Sequence, residues 1–508
     1  MKKFSRIASV ALATVCMGSM FAGCGGNKIE YDENTLYVAA INKGYGIEWL
    51  YGLLDEFSAA KGIKYEVTPV YDDSQITTRI ESGAEYCNYD LVFTGNKKPA
   101  ADRFLADLTD VYASTYESGS RAGQTIQDSM DDRLWNFVEA SGKNVIPWTG
   151  GVNGLMVNYQ AVAKVLGDGW ENTYKVRTTD ELIDFCEVLS EKGLAPFLHA
   201  AATQYYQFLY DCWFAQYNGN QGVNDYFEGK YVDEFGATRI GPEVCFNQGV
   251  LESAKVMEEI FSNGYSHKDS NGLEWDVCQT YFMLGYSAMF CNGDWNKQEM
   301  SKQFPNTDIR MIQTPVISAL GDKLGITEEQ LIQLIDYVDA TNAGESATKP
   351  SIDNVDDLIA AVKEARSWAF TYADYHMGSV ISYSTKIDLA KEFLKYMVSD
   401  AGQAKFVEKT KGLTMCYGYD LESYAKYNEL PAFAKSRWTI ARDATLYFID
   451  PTSTFGGVGL QPFHMRTLAP LEVLLSRTTN RKTAQDIYEE DYEYYKTVWS
   501  SFVLAGNQ

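Results

Sequence analysis

The sequence predicts an α/β protein of two lobes, each with its own sheet, and an inserted pair of helices. Three observations predict it. The chain has 508 residues, more than one hydrophobic core usually serves. Its first part after the leader reads strand, helix, strand, a β-α-β unit that implies a parallel sheet with a right-handed crossover. A second alternation of strands and helices starts after Pro147-Trp148, which puts the crossing between lobes near residues 146–150.

Residues 36–41 (LYVAAI) read as a buried strand, broken at Asn42-Lys43-Gly44-Tyr45-Gly46. Ile47, Leu50, Leu54 and Phe57 then recur at helical spacing until Gly62, and residues 65–69 form a second strand. Residues 89–93 (YDLVF) are a further compact apolar run, followed by Thr94-Gly95-Asn96-Lys97. Ligands of open α/β sheets bind beyond the carboxyl ends of the strands, so loops 42–46 and 94–97 are candidate ligand-facing loops. In the second lobe residues 154–159 (GLMVNY) are a strand. Thr178 and Glu181 form a capping box that opens a helix with Leu182, Phe185 and Leu189 inward, stopped by Gly193. Residues 195–200 (APFLHA) read as strand again, followed by an aromatic helix from Gln204 to about Gln216. A second box, Thr327-x-x-Gln330, opens the first of two helices that flank the loop 341–351 and run to about Arg366. The C-terminal helix turns Ala484, Ile487, Tyr494, Val498 and Phe502 inward.

The leader has a basic start (Lys2, Lys3, Arg6) and an apolar, small-residue middle that is too short to span a bilayer. Its end, Phe21-Ala22-Gly23-Cys24, resembles a bacterial lipobox, with Cys24 as the lipidated residue and Gly25-Gly26-Asn27 as a spacer. A lipid on Cys24 would hold a soluble domain at a membrane surface. Removing residues 1–23 leaves 41 basic against 68 acidic side chains, a net charge of −27. Nucleic acid is a poor partner for so acidic a surface. The seven cysteines after Cys24 are scattered, without a C-x-x-C pair or clustered histidines, so the pattern signals neither a zinc site nor a dense disulfide framework. The odd count leaves at least one free or joined to another molecule, and most read as small buried hydrophobes.

No P-loop, G-x-G-x-x-G, G-x-S-x-G or H-E-x-x-H occurs, and the four histidines are far apart. The sequence therefore nominates no catalytic residue, metal or cofactor. A glycoside hydrolase needs only two well-placed carboxylates, so a secreted carbohydrate-active enzyme stays open as an alternative.

Five segments carry a resemblance. The lipoprotein leader, the opening strand with Asn42-Lys43-Gly44-Tyr45, GGVNGLMVNY at 150–159, AMFCNGDW at 288–295 and KIDLAKEFLKYMVSDAGQAKF at 386–406 follow one another in an order similar to the extracellular solute-binding lipoproteins of carbohydrate ABC transporters, the maltose-binding-protein-like family. The resemblance implies a two-lobed periplasmic-binding-protein-like fold of type II with a hinge. Its divisions are a signal peptide at 1–23, a lipidated N-terminus and spacer at 24–34, and a first lobe of 35–146 with 372–425. The second lobe is 149–316 with 426–508, while the helical insertion 321–368 departs from the family's pattern. It implies an extracytoplasmic monomer, anchored by lipid, that passes a mono- or oligosaccharide to an ABC permease. A binding protein for another polar solute is the further alternative. Carried over position by position, Lys43, Tyr45, Asn96 and Lys97 supply first-lobe contacts, Trp148 sits at the hinge crossing, and Tyr205 or Tyr206, Trp295 and Phe463 face the cleft. A pyranose offers a flat patch of C–H groups ringed by hydroxyls, so Trp295 as a platform with Asn292 and Asp294 beside it suits such a ligand.

Overall fold

The computed structural model describes residues 31–95, 102–199, 205–463 and 482–506. Cys24, Asn96 and Lys97 lie outside these residues, as does Gln204, the expected start of the aromatic helix. In chain order the strands are β1 (Thr35–Ile41), β2 (Lys64–Val70), β3 (Leu91–Phe93), β4 (Ile146–Pro147), β5 (Asn153–Asn158) and β6 (Ala195–Leu198). They continue with β7 (Lys230–Val232), β8 (Thr238–Ile240), β9 (Ser287–Gly293), β10 (Ile309–Met311), β11 (Trp368–Phe370), β12 (Met377–Val380) and β13 (Thr445–Tyr447).

One sheet has the order β2-β1-β3-β12-β4, with β1 parallel to β2 and β3, and β12 antiparallel to β3 and β4. Every residue of β1 is buried, as a central strand covered on both faces requires. Its neighbour β2 is largely exposed and carries Pro69, whose missing N–H is tolerated at a sheet edge. The helix Glu48–Lys61 turns Leu50, Leu53, Leu54 and Phe57 into this core and stops at Gly62, which takes φ 68°. Against it pack the helices Ile387–Val398 and Asp400–Thr410, so a late part of the chain completes the first lobe.

The other sheet has the order β13-β11-β5-β9-β6, with β10 also on β5. Both β5 and β9 are buried throughout, between helices that include Gln207–Phe227. That helix runs past Gln216 through a kink at Gly219, longer than the aromatic pattern predicts. Thr178 does accept from the Glu181 N–H, but the Glu181 carboxylate turns to Arg177, so the first box is half formed. The Thr327–Gln330 box is complete. The helices Glu328–Asn342 and Val355–Ser367 pack on each other, and the second also packs on Gln207–Phe227. In the C-terminal helix Ala484–Gly506, Ala484, Ile487, Tyr488 and Tyr495 are buried, whereas Tyr494, Val498 and Phe502 are half-buried.

The chain crosses between the sheets three times: from β4 to β5, from β11 to β12, and between the helices Asp400–Thr410 and Ala432–Ala441. At the first crossing a Cβ on Gly150 would come within 2.9 Å of the Met415 carbonyl carbon, and one on Gly151 within 2.4 Å of the Tyr45 hydroxyl. The two glycines let the crossings touch. Six of the seven described cysteines are buried, Cys416 is half-buried, and none is in a disulfide.

Candidate functional site

A cavity of about 350 Å³ lies between the lobes. From the first lobe come Ile41, Lys43, Gly44 and Tyr45 at the end of β1, and Gly95 just past β3. The second lobe supplies Tyr205, Trp275, and Trp295 and Glu299 just past β9. Tyr372 and His376 enter from the crossing between β11 and β12.

Trp295 is 8 % exposed. Its indole folds back over its own turn, where a Cβ on Gly293 would lie 2.1 Å from the ring. The ring is nearly parallel to Tyr372, with centroids 6.2 Å apart at 18°. Tyr45 and Tyr205 meet it edge-on at 6.0 and 5.9 Å. Trp275, 39 % exposed, stands at the mouth, and the Lys43 side chain is exposed. The walls are thus aromatic, with hydroxyl, ammonium, carboxyl and imidazole groups among them, an arrangement suited to a partly apolar, polyhydroxylated solute.

Burial shifts the carboxyl, phenol and imidazole groups. It pushes the Glu299 carboxyl up, while Gln279 Nε2 donates to that carboxylate at 2.7 Å. Burial, with help from the Glu299 charge, raises the Tyr205 phenol to about 12. Desolvation lowers His376 to about 4, so it is neutral at pH 7. Its Nδ1 lies 2.9 Å from the Tyr372 carbonyl, which can only accept, so Nδ1 carries the proton and Nε2 is left as an acceptor.

Of the positions nominated by sequence, Lys43, Tyr45, Tyr205 and Trp295 come together around this cavity, and five others are placed elsewhere. Asp294 is fully buried beside the crossings. Its Oδ1 accepts from the Tyr45 hydroxyl at 2.6 Å, and its Oδ2 from Val152 N–H at 3.1 Å and Arg437 Nε at 2.9 Å. Arg437, equally buried, donates further to Thr414 Oγ1 and the Gly150 carbonyl, each at 2.6 Å. Asn292 is enclosed in β9, where its Oδ1 accepts the Gly293 N–H. Trp148 does sit at the first crossing, but its ring stacks on Trp49 at 4.7 Å inside the first lobe. Tyr206, 3 % exposed, packs on His199 and Phe261, and Phe463 packs edge-on to Tyr210. Tyr372, His376, Trp275 and Glu299 escaped the sequence reading. A Tyr-x-x-x-His run between two short apolar strands, read as a further crossing, was the signal available for the first two.

Among the described residues no group of three or more His, Cys, Asp or Glu could hold a metal, and no helix is long and apolar enough to cross a membrane.

The model of one family, the bacterial extracellular solute-binding proteins, matches residues 43–404. Among solved structures, RafE in complex with raffinose is similar at 15 % identity with a TM-score of 0.55, covering 91 % of this chain and 99 % of its own. The apo-form of RafE from Streptococcus pneumoniae matches at 15 % identity and a TM-score of 0.55, over 92 % of this chain and 99 % of its own. A structure from work on xylan utilization by the thermophilic bacterium Caldanaerobius polysaccharolyticus matches at 13 % identity and a TM-score of 0.54, over 91 % and 99 %. At such identities the likeness is one of fold. No curated protein matches the sequence.

Proposed function

Because the chain belongs to the bacterial extracellular solute-binding proteins, a family of binding proteins rather than enzymes, we propose that it captures a mono- or oligosaccharide between its lobes and delivers it to an ABC permease. The observation that carries the sugar is the wall formed by Trp295 and Tyr372, two rings 18° from parallel with Tyr205 edge-on beside them. Such faces cover the C–H patch of a pyranose, and the groups at their margins satisfy its hydroxyls. The similarity to a raffinose complex supports the same class of ligand.

In this reading Lys43, Tyr205 and Trp295 touch the sugar together with Trp275, Glu299, Tyr372 and His376. Asn96 and Lys97, next in sequence to Gly95 of the cavity wall, are proposed as further first-lobe contacts to the sugar. The lobes divide as 35–146 with 372–425 and 149–316 with 426–508. The pair of helices within 321–368 contributes no residue to the cavity wall and packs on the second lobe. A lipid on Cys24 keeps the monomer at the outer face of the membrane. Each sugar hydroxyl exchanges water for protein and gains only about 0.5–1.5 kcal/mol, so stacking and water release carry much of the affinity. Closure follows from tighter binding to the closed than to the open form.

A melting-temperature screen of the purified protein against a sugar panel tests the proposal, because binding raises apparent stability by mass action. A saturable rise with one sugar, without release of new reducing ends, is expected. No rise with any sugar, but one with a charged or amide-bearing solute, would give the cavity to that solute; Lys43 and Glu299 on its wall are the groups such a ligand would use.

A further inference from the structure

We infer that Tyr45, Asp294 and Arg437 form a latch at the inner end of the cleft whose hydroxyl-to-carboxylate bond draws the lobes together and is not spent on the solute, making them positioning residues for capture. The inference rests on the two-lobed reading above but not on the identity of the ligand.

The three groups divide unequally between the moving parts. Asp294 follows β9 of the second sheet, and Arg437 lies on the helix Ala432–Ala441 beside β10 of the same sheet. The guanidinium holds two crossings at once, through the Gly150 carbonyl and Thr414 Oγ1. Asp294 adds a third tie through Val152 N–H. Together they make a charged platform built on the second lobe and the hinge. Tyr45 belongs to the first lobe, on the loop after β1, and reaches the platform with its hydroxyl at 2.6 Å from Asp294 Oδ1. Burial and the Asp294 charge both hold the phenol protonated, so it is the donor.

Within this cluster, opening the cleft therefore breaks only the Tyr45–Asp294 bond and leaves the Arg437–Asp294 pair intact. No buried charge is stranded, as it would be if the lobes shared the ion pair itself. A phenol-to-carboxylate bond is charge-assisted and stronger than a neutral one, so its loss shifts the closed-to-open ratio about 10- to 100-fold. A latch of this size biases the lobes toward closure while leaving solute binding to complete it.

Small-angle X-ray scattering of the ligand-free full chain tests the latch directly. Tyr45→Phe removes the hydroxyl and keeps the ring against Trp148, Trp295 and His376. Gly151→Ala reaches the same bond from the other side, because its Cβ would displace the Tyr45 hydroxyl. Both variants are expected to have a larger radius of gyration than the wild type, at unchanged helix content, and to bind the best solute of the panel about 10-fold more weakly. Unchanged scattering from both overturns the latch. An affinity loss in Tyr45→Phe at unchanged scattering also overturns it, since the hydroxyl would then serve the solute. Because the scattering needs no ligand, a panel in which no sugar binds leaves this result standing on its own.

Discussion

The two ends of the cleft are built on opposite principles. At the outer end Lys43 and Trp275 are exposed, Tyr205 is half-buried, and ring faces dominate the wall. At the inner end Asp294 and Arg437 are 0 % exposed and their polar atoms are bonded to the protein itself. The boundary falls between two consecutive residues, with Asp294 turned toward the hinge and Trp295 toward the cavity. A polar side chain beside a platform tryptophan is thus no guide to solute contact; what decides is whether its hydrogen bonds are already taken.

The contrast breaks most visibly at the inner end. Arg437→Ala leaves Asp294 buried without its counter-ion, and a loss of about 3–5 kcal/mol is expected in urea unfolding. A loss below about 1 kcal/mol would mean that the platform is hydrated and the inner end no different from the outer. At the outer end, Trp295→Ala is expected to weaken the best solute by at least about 10-fold, or ~1.4 kcal/mol, by titration calorimetry. Since the indole is mostly buried, the melting temperature should fall too, which an exposed platform would not show.

His376 sharpens the boundary through pH. Its folded value of about 4 lies below the ordinary histidine range near 6.5, so the unfolded chain takes up the proton first. Its share of stability is complete above about pH 6.5 and is lost as pH falls toward 4. Unfolding curves of His376→Gln should lack that part of the acid dependence. The smallest effect belongs far from either end. Lys349→Ala removes an exposed ion pair with Asp356 on the inserted helices, and is expected to change stability by less than about 1 kcal/mol and affinity not at all.

Much of the fold was legible because it is written in local signals. The buried run at 36–41 became β1, Gly62 closed the next helix in the left-handed conformation, and the Thr327–Gln330 pair made the reciprocal cap its spacing implies. The crossing expected near 146–150 was found there, and the structure adds that Gly150 and Gly151, lacking a Cβ, let three segments meet at it. The site was legible in part. Lys43 and Trp295 follow strand ends, where topology exposes them to a cleft. Tyr372 and His376 reach the cavity through a crossing 77 residues or more beyond Trp295, a juxtaposition no local pattern encodes. Nor does spacing reveal which way a turn residue points. Tyr206 went into the core of its lobe although its neighbour Tyr205 went to the cavity, and Trp148, at the crossing, turned its ring onto Trp49 rather than into the cleft.

The enclosed thiols noted with the crossings have a practical side. Six of the seven described cysteines are shielded by packing, and burial raises the thiol of the seventh, Cys416, which keeps its reactive thiolate scarce. In a chain that begins after Cys24, a surface cysteine engineered onto each lobe would react with maleimide far ahead of the native set. Paired fluorophores could then follow individual molecules as they breathe, with no need to strip the natural sulfurs first.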